Sequence, residues 1–86
     1  MMQSEEDSRE AVAARLERVR VILGMSKREF AEKAGISEQG YGAFIHLRRD
    51  VTLDAAKKFR KVYGLPLEFT YFGIISDLPH RIATDL

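Results

Sequence analysis

The stretch that decides the fold is Ser26-Lys27-Arg28-Glu29-Phe30-Ala31-Glu32-Lys33-Ala34-Gly35-Ile36-Ser37-Glu38-Gln39-Gly40-Tyr41-Gly42-Ala43-Phe44-Ile45. Ser26 and Glu29 have the spacing of a capping box, in which each side chain satisfies a backbone amide that a helix's first turn leaves open. Met25 before the cap and Phe30 after it form a hydrophobic staple. Gly35 ends this helix after about eight residues, since glycine adopts the left-handed conformation that closes the final carbonyls. Ile36 and Ser37 then repeat the staple and cap, with Tyr41 as the packing partner of Ile36. Only Gly35-Ile36-Ser37 separates the two helices, so they must cross steeply. On the second, Tyr41, Phe44 and Ile45 face inward by helical spacing, and Glu38, Gln39, Gly42, Ala43, His46 and Arg49 share the opposite side.

This is a helix-turn-helix arrangement, and the flanking sequence supplies helices to pack around it. Upstream, Val12, Leu16, Val19 and Leu23 recur at helical intervals and Gly24 stops the stripe. Downstream, Thr52 caps a helix with Asp54 in its first turn, where the helix dipole favours an anion. Leu53, Ala56, Phe59 and Tyr63 form its expected core stripe, Lys57, Lys58, Arg60 and Lys61 cover its other faces, and Gly64 ends it. Pro66 opens a short fifth helix with Leu67, Phe69, Tyr71 and Phe72, and beyond Gly73 comes an extended link with a last helical turn or two toward Leu86. The expectation is an all-α, five-helix domain over residues 9–73. A flexible acidic N-terminus (1–8) precedes it, and a short helical tail (74–86) follows as the dimerisation element.

At 86 residues the chain has room for one small core. Hydrophobic residues at 45% and charged residues at 31% argue against disorder. With no cysteine and only His46 and His80 as histidines, a disulfide framework and a zinc site are both excluded. Phosphate-binding glycine loops and nucleophile motifs are absent too, so neither enzymatic activity nor a cofactor is expected. The first ten residues lack the apolar run of a signal peptide, and no 18 apolar residues occur in succession; a cytoplasmic protein without a membrane partner is expected. The net charge of +1 conceals a segregation. Residues 1–10 hold one Arg against four acids, residues 11–63 twelve Lys/Arg against six, and residues 64–86 one Arg against three. The middle is basic, as a polyanion-binding surface or a solvated helical surface would be.

From Arg15 to Gly73 the chain resembles the DNA-binding domains of the phage repressor and Cro family, also called the XRE family. The resemblance rests on Met-Ser-Lys-Arg-Glu-Phe-Ala-Glu-Lys-Ala-Gly at 25–35, Ile-Ser at 36–37, Thr-Leu-Asp at 52–54 and Tyr-Gly-Leu-Pro-Leu-Glu-Phe at 63–69. The run Gln39-Gly40-Tyr41-Gly42-Ala43-Phe44 is similar to a phage-repressor recognition helix. The resemblance implies that the third helix lies in the major groove while the second crosses the backbone. It implies that Lys27 stands where relatives carry a glutamine that touches phosphate and braces the recognition helix. It also implies that Glu38 and Gln39 read bases, that Ala43 meets a thymine methyl, and that His46 and Arg48 meet phosphate. Ile45, Leu47 and Val51 depart from the family's Glu-x-Gly and proline around the loop before the fourth helix, so a different loop course is expected.

Double-stranded DNA is therefore the expected partner, contacted by Lys27, Arg28, Ser37, Glu38, Gln39, Gly42, Ala43, His46, Arg48 and Arg49. Gln39 matches the bidentate bond to adenine N6 and N7. Glu38 either accepts from cytosine N4 or pairs with Lys27, the pairing being favoured because a carboxylate opposes phosphate. Lys27, Arg28, Arg48 and Arg49 are phosphate anchors or solvated charges. Gly40 serves either close approach to DNA or packing against the second helix; for Gly42, on the outer face, close approach is favoured. Phe69, Phe72, Ile74, Ile75 and Leu78 exceed what a short terminal segment hides, and are expected to form a homodimer interface presenting two recognition helices about 34 Å apart to a pseudo-palindrome. The expected function is a repressor. A protein-binding module with the same fold, such as an antitoxin or antiactivator, is the alternative.

Overall fold

Each of the first four helices starts where a hydroxyl-bearing side chain accepts a bond from an amide that the first turn cannot use. A computed structural model describes residues 8–86; the expected acidic N-terminus lies outside the described residues except for Ser8. Ser8 caps α1 (Arg9–Ile22) by accepting from the Ala11 amide at 3.0 Å. Ser26 and Glu29 form the complete capping box of α2 (Lys27–Lys33). Ser37 accepts from the Gly40 amide at 2.9 Å to start α3 (Glu38–Ile45), and Thr52 from the Ala55 amide at 3.1 Å to start α4 (Leu53–Tyr63). Pro66 and Pro79 precede α5 (Leu67–Phe72) and α6 (His80–Asp85). Gly24, Gly35, Gly64 and Gly73 all take positive φ at the ends of helices. Among the described residues there is no strand and no helix long and apolar enough to cross a membrane.

The core is organised around Phe30 of α2. Its ring stacks on Phe59 and Tyr63 of α4, with centroids 5.2 and 4.7 Å away, and meets the edge of Tyr41 of α3 at 5.5 Å. The Tyr63 hydroxyl closes the cluster by donating to the Phe30 carbonyl at 2.8 Å. Val12, Leu16 and Val19 of α1 complete this interior with Phe44, Ala55, Ala56, Leu65 and Phe69. Three helices thus share one aromatic centre. That centre holds α2, α3 and α4 against one another, because rotating any of them would break ring contacts worth about 0.5–1.5 kcal/mol each beyond their burial.

Several residues sit differently from expectation. Leu53 is half-exposed; the buried face of α4 is set by Ala55, Ala56 and Phe59, and at 3.6 residues per turn Leu53 lies about 100° from its centre. Phe69 and Leu78, expected on a dimer surface, are instead interior: both belong to the chain's own core with Ile82 of α6. The segment after Gly73 loops back so that α6 packs on α1, where the Arg18 guanidinium donates to the Asp85 carbonyl at 3.2 Å. Thr70 of α5 is wholly buried, and its hydroxyl has no partner among the described residues.

Candidate nucleic-acid interface

α3 is held from beneath by a polar contact to α1. Tyr41, fully buried, donates its hydroxyl to the Glu17 carboxylate of α1 at 2.6 Å. Glu17 is also held by a two-pronged bond from Arg20, at 2.9 and 3.1 Å, and Arg20 reaches on to the Met25 carbonyl ahead of α2 at 2.8 Å. Burial alone would raise the Glu17 pKa, but the bonds from Arg20 and Tyr41 and the charges of Arg20 and Lys27 outweigh it and hold the carboxyl below its ordinary value. Burial, with the Glu17 carboxylate behind it, pushes the Tyr41 hydroxyl well above the usual tyrosine range. The network ties α1, the α1–α2 turn and α3 into one rigid unit. Pre-organisation of this kind spares a recognition surface the entropy of ordering on binding.

With Tyr41 and Phe44 turned inward, the opposite side of α3 faces solvent. Ser37, Glu38, Gln39 and His46 are exposed, while Gly42 and Ala43 lie between them in partial exposure. A methyl added at Gly42 would meet only the His46 ring, at 3.9 Å. Nothing among the described residues therefore requires glycine here. At Gly40 a methyl would press on Ser37 Oγ at 3.1 Å and reach Ile36 at 3.6 Å, so its neighbours are the cap and staple of its own helix, not α2.

The basic residues flank this face. Lys27 and Arg28 open α2 and are exposed, with Arg28 in a loose 3.4 Å pair with Glu32 that solvent weakens. The expected Lys27–Glu38 pair is not among the ion pairs of the described residues. This leaves Glu38 in the first turn of α3, where the helix dipole favours it. Lys58, expected only to cover the outer face of α4, pairs with Asp54 at 3.2 Å and donates to the Gly35 carbonyl in the α2–α3 turn at 3.4 Å.

Arg48 and Arg49 follow α3 in the loop whose course was expected to differ. Leu47 takes φ +63°, the only non-glycine residue with positive φ among those described. Its amide donates to the Phe44 carbonyl at 3.1 Å and the Arg48 amide to that of Ala43 at 2.8 Å, which is a Schellman ending built on leucine instead of glycine. That conformation costs an L-residue about 1–2 kcal/mol. Arg9, at the start of α1, reaches this loop: its Nε bonds Asp50 at 2.7 Å and its Nη1 the Leu47 carbonyl at 3.1 Å. The Asp50 carboxyl is held below its ordinary value by the bond from Arg9 and by its charge.

Near the C-terminal end, Phe72, Ile74 and Ile75 remain large apolar residues 52%, 48% and 58% exposed, with Phe72 lining a pocket beside Arg9 and Asp50. Of the residues that sequence reasoning missed, Lys58 had a signal in its i, i+4 spacing from Asp54. Arg9 had none, since its partner lies 41 positions away. The family model described as Helix-turn-helix matches residues 16–69, a span that holds α2, α3, the whole of α4 and the first half of α5. No curated protein matches the chain, and no solved structure does.

Proposed function

The chain belongs to the helix-turn-helix family of phage repressor and Cro type and is a DNA-binding regulator, and from that premise we propose that it is a sequence-specific repressor that binds a pseudo-palindromic operator as a homodimer. The observation that carries the reading is the solvent face of α3: Gln39 is exposed, Gly42 and Ala43 are partly exposed beside it, and no contact among the described residues requires glycine at 42. A mid-helix glycine costs about 1 kcal/mol relative to alanine, which close approach to a duplex offsets. Ser37 and Gln39 enter the major groove first, Ala43 lies against a thymine methyl, and Gln39 reads an adenine. Lys27, Arg28, His46, Arg48 and Arg49 surround this strip as phosphate contacts, which supply affinity without sequence information. Glu38 has no Lys27 partner and takes the cytosine N4 role at the helix start.

Dimerisation rests on Phe72, Ile74 and Ile75, an exposed apolar cluster of the kind that marks an interaction surface. Two-fold pairing through it would present two copies of α3 to successive major grooves. Selection of bound fragments from random double-stranded DNA tests the reading. Enrichment of an inverted repeat, with affinity that falls steeply as salt rises, is expected. Failure to enrich any sequence, together with binding to a protein partner that salt does not weaken, would move the assignment to the protein-binding module.

A further inference from the structure

We propose that Arg9 is a positioning residue for DNA binding, a clip that holds the loop after α3 so that Arg48 and Arg49 face the phosphates. The inference rests on the DNA-binding reading above and adds to it a residue far from the recognition helix. A single guanidinium grips both ends of the four-residue segment that carries the two arginines: Leu47 through its carbonyl at 3.1 Å and Asp50 through its carboxylate at 2.7 Å. Between those anchors the Arg48 and Arg49 amides both turn back onto the Ala43 carbonyl, at 2.8 and 3.3 Å. Immediately beyond Asp50, Val51 is buried and its carbonyl accepts from the Tyr71 hydroxyl at 2.9 Å. The segment is thus pinned at each end and along its middle, and the Arg48 and Arg49 side chains are left exposed.

The clip also answers the question raised by Leu47. A leucine in the left-handed region needs its surroundings to hold it there, and the bond from Arg9 to the Leu47 carbonyl is a contact from outside the loop that does so. Arginine suits the task because its planar fork places donors on separate nitrogens at fixed angles; the three donors of a lysine ammonium share one nitrogen on a flexible stem and do not reproduce that spacing.

The experiment compares Arg9→Ala, Arg9→Lys, Asp50→Ala and the double variant Arg9→Ala/Asp50→Ala in the full chain. Fluorescence anisotropy against the selected DNA site at one fixed salt concentration gives the readout. If charge alone mattered, removing the Asp50 carboxylate would tighten binding to a polyanion and Arg9→Lys would behave as the native protein. Positioning gives the opposite pattern. Asp50→Ala, Arg9→Ala and Arg9→Lys each weaken binding, by roughly two- to fivefold on the scale of an exposed ion pair, and the double variant is no weaker than Arg9→Ala, which by itself removes both bonds. Native-like affinity for Arg9→Lys, or tighter binding by Asp50→Ala, overturns this inference while leaving the DNA-binding assignment intact. A native chain that binds no DNA overturns both.

Discussion

Replacing Gly42 by alanine should separate stability from recognition. Gly42 sits within α3, where alanine is favoured over glycine by about 0.5–1 kcal/mol. The added methyl has nothing nearer than the His46 ring at 3.9 Å, an ordinary contact, so no steric term subtracts from that gain. The variant should unfold about 0.5–1 kcal/mol harder in urea, followed by far-UV circular dichroism, and melt about 2–8 °C higher for a domain of this size. If the open face is where DNA comes close, the same methyl should weaken specific binding by about 1–3 kcal/mol, the scale of a lost base contact. Gly40→Ala is the internal control. Its methyl would lie 3.1 Å from Ser37 Oγ, the atom that caps the helix, and a displaced cap costs about 1 kcal/mol. That variant should show no net stabilisation. Two results would refute the reasoning: Gly42→Ala that is no more stable than the native chain, or Gly42→Ala that is more stable and still binds the site with native affinity.

Four further outcomes are expected. Gln39→Ala should lose discrimination at one base pair of each half-site, whereas Arg28→Ala should weaken cognate and random DNA alike; anisotropy on single-substitution sites distinguishes them, and equal effects on both DNAs would count against the placement of α3. Tyr41→Phe should lower stability at pH 7 by about 1–2 kcal/mol, because it removes a buried bond to a carboxylate. Since the folded Glu17 pKa lies below its ordinary value of 4.5, its stabilisation is present at neutral pH and fades as pH falls through the folded value; urea midpoints from pH 7 to 3 should decline less steeply in Tyr41→Phe than in the native chain. Thr70→Val should raise the unfolding free energy measured in urea by about 1 kcal/mol by removing a buried hydroxyl that has no partner among the described residues, and a lower value would mean the hydroxyl is satisfied. Ile75→Asp should shift sedimentation toward the monomer without unfolding the chain, because the side chain is exposed; unchanged mass would place the dimer contact elsewhere.

What could be read from the sequence was what is written locally. Ser26 with Glu29, Ser37 and Thr52 announce helix starts through chemistry contained within four residues, and Gly24, Gly35, Gly64 and Gly73 announce ends through a backbone conformation that glycine reaches without strain. The solvent face of α3 followed from the same logic, since burying Tyr41 and Phe44 leaves Gln39 and Gly42 outside. What escaped depends on distant parts meeting. Leu47 carries no local sign of a left-handed backbone, and the bonds Arg9 makes to it and to Asp50 join residues 38 and 41 positions apart. Leu53 fitted an apolar stripe yet lies at its margin, because which flank of a helix is covered depends on the neighbours that dock there. Phe69 and Leu78 looked surplus to a short terminal segment; they became interior once α6 folded back onto α1.

That return of the chain has a practical corollary for anyone recombining this fold. Leu78 and Ile82 are mortar for α1, and α1 in turn carries Glu17, on which Tyr41 leans. A hybrid that borrows its last residues from another protein would alter the seat of the reading element as well as the ending. The last helix and the exposed face of α3 are therefore not independent cassettes here, and a chimera designed on that assumption should be checked for altered DNA binding even where every exposed side chain of α3 was kept.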